Sequence, residues 1–90
     1  MTARAVDVTI SGRVQGVFFR ASCVQEARRL SVAGWVRNAP DGKVIGHFEG
    51  DADAVVALID WCHEGPRHAR VDDVDVREGA IQHCEGFDVR

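Results

Sequence analysis

The sequence has no CxxC pair, and its three cysteines, Cys23, Cys62 and Cys84, are widely spaced. An odd number at such spacing makes no disulfide framework and fits reduced thiols in the cytoplasm, although a Cys62–Cys84 bridge stays open. Long apolar runs are also missing. The longest, Ala54 to Ile59, is far too short to cross a bilayer. Met1 to Ala5 lacks an apolar segment, so no secretory signal is expected. Positive charge is not in excess: 11 Lys and Arg against 14 Asp and Glu give a net charge of −3. That balance argues against nucleic acid or an anionic membrane as the main partner. It leaves a small anion open, because such a ligand senses one loop more than the whole surface. There is no repeat, low-complexity stretch or linker.

What remains is a chain of 90 residues, 46% hydrophobic and 28% charged. That is enough for one packed core and no second one, so a single domain over residues 1–90 is expected. Val6 to Ser11 alternates apolar and polar residues, as a half-buried strand does. Cys23, Ala27 and Leu30 then fall on one helical face, with Arg28 and Arg29 off it and expected in solvent. The helix starts either near Arg20 or with Ser22 as its cap.

Ala33 to Asn38 reads as a second strand, Ala39-Pro40-Asp41-Gly42 as a turn and Val44 to Gly50 as the returning strand. Asp51 is placed to cap a second helix, and Asp53 adds negative charge to its first turn. Val55, Leu58, Ile59 and Cys62 form that helix's buried face, and Gly65-Pro66 stops it. Val71 to Val76 is the next strand, with Val74 and Val76 inward, and Phe87 to Val89 is a short last one. The order is β-α-β-β-α-β plus a terminal strand. It predicts an α+β ferredoxin-like sandwich, an antiparallel sheet with two helices on one face.

Gly12 to Arg20, Gly-Arg-Val-Gln-Gly-Val-Phe-Phe-Arg, joins the first strand to the first helix. Glycines let such a loop curl so that backbone N–H groups face inward, and a helix N-terminus favours an anion. Arg20 adds a planar fork of donors suited to two phosphate oxygens. An ordinary strand-to-helix turn with a solvated arginine is the other reading of these residues alone. Phosphatases that use a thiolate need cysteine six positions before the arginine, and Val14 stands there. No His, Ser or Asp lies in the loop either, which disfavours a phosphoenzyme.

The remaining chemistry is direct attack by water on a loop-bound phosphoryl group. That suits an acyl phosphate, whose carboxylate leaving group needs no general acid. Asn38, at a strand end, can orient water through its carboxamide or can prop the turn through its own backbone. Local sequence leaves both open.

Two long motifs together resemble the acylphosphatase family. Gly12, Val14, Gln15, Gly16, Val17, Phe19 and Arg20 match the first signature of that family. Gly34-Trp35-Val36-Arg37-Asn38, followed by Gly42, Val44 and Gly50, matches the second. Gly65-Pro66, Ala69, Val71 and Gly86-Phe87 are similar as well, so the likeness covers nearly the whole chain.

The resemblance implies hydrolysis of an acyl phosphate to a carboxylate and inorganic phosphate. Arg20 would bind the phosphoryl group with backbone N–H groups of Gln15, Gly16, Val17, Phe18, Phe19 and Arg20, and Asn38 would orient the water. It implies no metal and no cofactor, small-molecule partners only, and a monomer in the cytoplasm. A carbamoyl-transfer enzyme that carries such a domain is expected to be excluded as a whole, since the chain ends at Arg90.

Two positions depart from the pattern. Ala39 stands where a hydroxyl residue is frequent, which bears on turnover and leans toward a non-catalytic anion-binding module. Ser31 stands where a helix-ending glycine is frequent, at a cost of about 1 kcal/mol if left-handed.

Other features point nowhere sharp. Cys62-His63 and His83-Cys84 form a superficially zinc-like set, but Cys62 lies on a core helix face and His63 off it. Trp35 and Trp61 are too few, on too acidic a chain, for an RNA-binding sheet. Arg67, His68 and Arg70 read as a solvated loop.

Overall fold

A computed structural model describes residues 2–90. Along the chain run β1 (Ala3–Arg13), α1 (Phe19–Arg29), β2 (Ala33–Asn38), β3 (Val44–Asp51), α2 (Ala52–Glu64), β4 (Arg70–Glu78) and β5 (Phe87–Val89). The expected element order holds. The strands lie side by side as β4-β1-β3-β2-β5. β1 pairs antiparallel with both β3 and β4, and β2 pairs antiparallel with β3. The sheet is mixed, however, because β5 lies parallel to β2, with Gly34 opposite Phe87 and Val36 opposite Val89. Residues 79–86 carry the chain from one edge of the sheet to the other and reverse it once. That reversal gives β5 the direction of β2.

One face of the sheet packs under both helices. Val6, Val8 and Ile10 of β1 are buried there with Val44 and Phe48 of β3, against Phe19, Cys23 and Ala27 of α1. Val55, Leu58, Ile59 and Cys62 of α2 are buried as their spacing predicts, each large aliphatic contributing roughly 1.5–3 kcal/mol. Phe48 and Phe87 pack at 5.8 Å between ring centroids and seat β5 on this core. Cys23 and Cys62 meet in it. The hydrogen bond from Cys62, reinforced by burial, pushes the Cys23 thiol well above its ordinary range. All three cysteines are free. The bridge left open from sequence is not formed, since Cys62 sits under the helices and Cys84 beside Glu49.

β1 and β4 run longer than alternation predicts, because Ala3 to Ala5 pair with β3, Gly12 and Arg13 pair with Val71 and Arg70, and Arg77 and Glu78 pair with Asp7 and Val6. Arg4 at one end donates to Glu78 at 2.6 Å. Their register shifts between Ser11 and Gly12. At Gly12 (φ 127°) a Cβ would stand 2.1 Å from the Arg70 carbonyl oxygen, so only glycine lets β4 pass this close to the start of the loop. Arg28, expected in solvent, donates to the Phe87 carbonyl at 3.3 Å and ties α1 to β5. Ser31 is left-handed (φ 58°), as its place after the helix suggested. The Val32 N–H donates to the Ala27 carbonyl at 2.9 Å and closes the helix end around it.

Candidate active site

The two helices begin differently. α2 starts at Asp51, whose side chain makes no capping bond, contrary to expectation. The Ala52 N–H is satisfied by the Thr2 carbonyl at 2.8 Å instead, and Asp53 supplies charge in the first turn. α1 starts at Phe19, nearer Arg20 than Ser22, after an N-cap Phe18 that is left-handed (φ 63°, ψ 24°). Its first turn holds no acid and its cap no side-chain bond. Ser22 lies inside the helix, its N–H donating to the Phe18 carbonyl at 3.0 Å.

The loop before α1 is pinned by Val14 and Val17, both buried in the core. Positive φ at Gly16 (74°), between them, and at Phe18, just after, curls the chain. Among the described residues, no backbone carbonyl accepts from the N–H groups of Gln15 to Arg20. The backbone N–H groups held by side chains belong to Lys43, Gln82 and Cys84. Six donors of this loop therefore face no protein acceptor, at the positive end of a helix dipole. Such a curl is suited to an anion. Arg20 is half-buried and lines a cavity of about 350 Å³ with Gly16, Phe18, Ala21 and Val89. Among the described residues no carboxylate pairs with it, although Arg4, Arg29, Arg70 and Arg77 each have one.

Asn38 ends β2 opposite Val44. Its Oδ1 is buried and meets no donor among the described residues, a condition that normally costs about 1–3 kcal/mol. The turn after it does not depend on it. Ala39 N–H donates to the Lys43 carbonyl (2.8 Å), Gly42 N–H to the Ala39 carbonyl (3.2 Å) and Lys43 N–H to Asp41 Oδ1 (3.1 Å). The turn-propping reading of Asn38 thus finds no bond to rest on. Ala39, with no hydroxyl, offers no donor to Oδ1.

Asn38 does not line the 350 Å³ cavity. What links it to the loop is Gln15, whose Nε2 donates to the Ala39 carbonyl at 2.8 Å and the Lys43 carbonyl at 2.9 Å. The sequence offered Gln15 only as a backbone donor. Nothing local in it signals this bridge, which joins positions 24 and 28 residues apart.

A second polar cluster sits on the other face of the sheet. His47 is wholly buried there, with Nδ1 2.8 Å from Asp7 and Nε2 2.8 Å from Glu49. Glu49 also accepts from the N–H groups of Gln82 (2.7 Å) and Cys84 (2.5 Å). Burial alone would raise the Glu49 pKa. The hydrogen bonds from His47, Gln82 and Cys84 outweigh it and hold the carboxyl down at about 2. Burial, followed by the Glu49 charge, pushes the Cys84 thiol up.

His47, Glu49 and Cys84 bring ligand atoms within 4.8 Å of one another, but the imidazole and the carboxylate already spend their polar atoms on neighbours. The set weighed from sequence, Cys62, His63, His83 and Cys84, does not assemble, because Cys62 is buried against Cys23. Neither tryptophan is a free platform. Trp61 packs on Phe19 at 5.3 Å, and the Arg37 and Arg90 guanidinium groups lie 5.5 and 5.4 Å from the Trp35 ring centre.

A family model described as Acylphosphatase matches residues 6–89. An acylphosphatase of Nocardioides sp. is 60% identical over 86 residues, covering 96% of this chain and 87% of that protein. One of Rubrobacter xylanophilus is 58% identical over 88 residues, covering 97% and 80%. The solved structure of an acylphosphatase from Coxiella burnetii superimposes with a TM-score of 0.94 at 39% identity, covering 98% of this chain and 93% of that one.

Proposed function

The chain belongs to the acylphosphatase family, and from that premise we propose how its residues divide the work of the reaction. It is an acyl phosphate hydrolase, converting a carboxyl–phosphate anhydride and water to a carboxylate and inorganic phosphate.

The backbone N–H groups of Gln15 to Arg20 and the Arg20 guanidinium hold the three peripheral phosphoryl oxygens. Their donors meet the charge that spreads over those oxygens in the transition state. Asn38 Oδ1 accepts a hydrogen bond from water and aims the water's lone pair at phosphorus, in line with the acyl oxygen. The water oxygen–phosphorus bond forms as the phosphorus–acyl oxygen bond breaks. The bonding pair leaves with the carboxylate, and the water's proton passes to a phosphoryl oxygen. A carboxylate is a good leaving group, so neither a metal nor a general acid has to act on it. Gly12 and Gly16 shape the loop, and Gln15 holds it against the turn that follows Asn38. On this reading one domain over residues 1–90 works as a cytoplasmic monomer on small-molecule acyl phosphates, without cofactor or nucleic acid.

The observation that carries the assignment is the pairing of two unmet capacities, six loop N–H groups without acceptors and one buried carboxamide oxygen without a donor. The test is hydrolysis of benzoyl phosphate by the purified chain and by Asn38→Ala. Wild type is expected to release phosphate far faster than buffer. Asn38→Ala should lower kcat about 10²–10³-fold with KM and melting temperature near wild type, the mark of a group used mainly in the transition state. Wild-type release no faster than buffer would leave only an anion-binding module. A variant with lost stability but normal kcat would return Asn38 to the turn.

A further inference from the structure

Phe18 and Phe19 are adjacent in sequence and opposite in fate. Phe19 is 1% exposed in the core, while Phe18 is 79% exposed. Phe18 also adopts a left-handed backbone (φ 63°) that bulky residues avoid. It caps α1 without a side-chain bond and buries little of its ring. Two costs thus fall on one residue with no return inside the chain.

Phe18 lines the same cavity as Arg20, about 350 Å³, whose remaining wall includes Ala21 and Val89, the latter 47% exposed. We propose that Phe18 and Val89 form an apolar wall that receives the acyl portion of the substrate and makes the enzyme selective for acyl phosphates with an aromatic or bulky apolar acyl group. The proposal rests on the acylphosphatase reading above.

The chemistry of the substrate links the two halves of the cavity. In an acyl phosphate a single bridging oxygen separates phosphorus from the acyl carbon. A phosphoryl group held by the N–H groups of the loop therefore projects its acyl group only a bond or two beyond them. Phe18 contributes both an N–H to the cradle and a side chain that starts from the same residue, so its ring lies within reach of the acyl group of a bound substrate. The left-handed backbone is what presents the ring outward where Phe19 turns in. The cavity has room for a phosphoryl group and an aryl ring together. An acetyl group would leave most of the Phe18 face wet, whereas a benzoyl group can cover it and gain both apolar burial and ring–ring contact. Lysine, arginine and carboxylate side chains other than Arg20 are absent from the cavity lining, which leaves a charged acyl chain without a partner there.

The experiment compares kcat/KM for benzoyl phosphate and acetyl phosphate, each divided by its uncatalysed rate, in wild type, Phe18→Gly and Val89→Ser. Glycine removes the ring and accepts the left-handed backbone, so folding is not at risk from strain. Val89→Ser lies at an exposed strand end and supplies no donor to the cradle. Phe18→Gly loosens a cradle residue and so acts on both substrates, but it should lower the ratio of the benzoyl to the acetyl value about tenfold. Val89→Ser should do the same more weakly, about threefold.

Parallel losses on both substrates, or no loss on either, would overturn the wall. Absence of catalysed hydrolysis of both substrates by wild type would instead overturn the hydrolase reading, and the wall with it.

Discussion

The two helices of this sandwich start in opposite ways, and the difference separates structure from function. α2 begins with its own negative charge, Asp51 and Asp53, and with a backbone partner for Ala52 in Thr2. Its first N–H thus has a partner within the chain, and acids face its dipole. α1 begins with no acid, no cap bond and a run of N–H groups without acceptors, beside an unpaired arginine. A fold seeking only stability would treat both ends like the first, since an acid in the first turn contributes typically 0.3–1 kcal/mol. Leaving the second end unsatisfied costs stability, and on the proposed reading it keeps a place for an anion. The His47 cluster sharpens the contrast. It is more polar and more deeply buried than the loop, yet it is closed on itself by Asp7, Glu49 and the N–H groups of Gln82 and Cys84. Polar burial alone therefore does not mark a site here. Unspent hydrogen-bonding capacity does.

Substitutions at these places should separate the two kinds of region. The largest effect is expected at Arg20. A charge-assisted contact in a partly enclosed loop is worth about 1.5–3 kcal/mol or more, so Arg20→Ala should lower kcat/KM roughly tenfold to several hundredfold while the melting temperature stays put. Arg20→Lys should restore little, because a point charge does not reproduce the fork.

At the closed cluster the pattern should invert. Glu49→Gln should remove about 2–3 kcal/mol of stability, seen in denaturant unfolding, and leave kcat near normal. The same carboxyl predicts a pH dependence. Its pKa in the folded chain lies near 2, below the ordinary 4.5. Its contribution is therefore complete above about pH 4.5 and drains away as pH falls toward 2, and the Gln variant should lack that part of the acid sensitivity.

Smaller still, Ala21→Asp would give α1 the kind of acid that α2 already has. It should raise stability by about 0.3–1 kcal/mol and weaken inhibition by phosphate severalfold. Asp53→Asn on α2 should lose a similar amount of stability without touching activity. If both acids moved stability alone, the two helix starts would be equivalent and the contrast would fail.

Much of this was legible in the chain. β2 and β5 begin and end where alternation and the flanking glycines put them, and the buried face of α2 follows directly from its spacing. These are short-range patterns, set by residues within one or two turns of each other. The residues alone gave Arg20 and Asn38 two readings each, a functional one and an ordinary local one, and the match of two motifs to a family favoured the first.

The rest depends on partners far away in sequence. Gln15 acquires its bridging role only when the turn after Asn38 folds beside it. His47 and Glu49 alternate like outward-facing strand residues, but Trp35 stacks on His47 and the N–H groups of Gln82 and Cys84 bond Glu49. The parallel pairing of β5 comes from the crossing of residues 79–86. The left-handed backbone at Phe18 has no sequence signal, because the residue type argues against it.

The most direct test of the account is where inorganic phosphate binds. Phosphate titrated into the ¹⁵N-labelled protein should shift the amide resonances of Gln15 to Arg20 together, with one affinity, and leave Ala52 to Val55 at the start of α2 in place. In Arg20→Ala the same amides should shift with weaker affinity. Phosphate that moved amides elsewhere at saturation while Gln15 to Arg20 stayed still would contradict the claim that the unmatched start of α1 is the site.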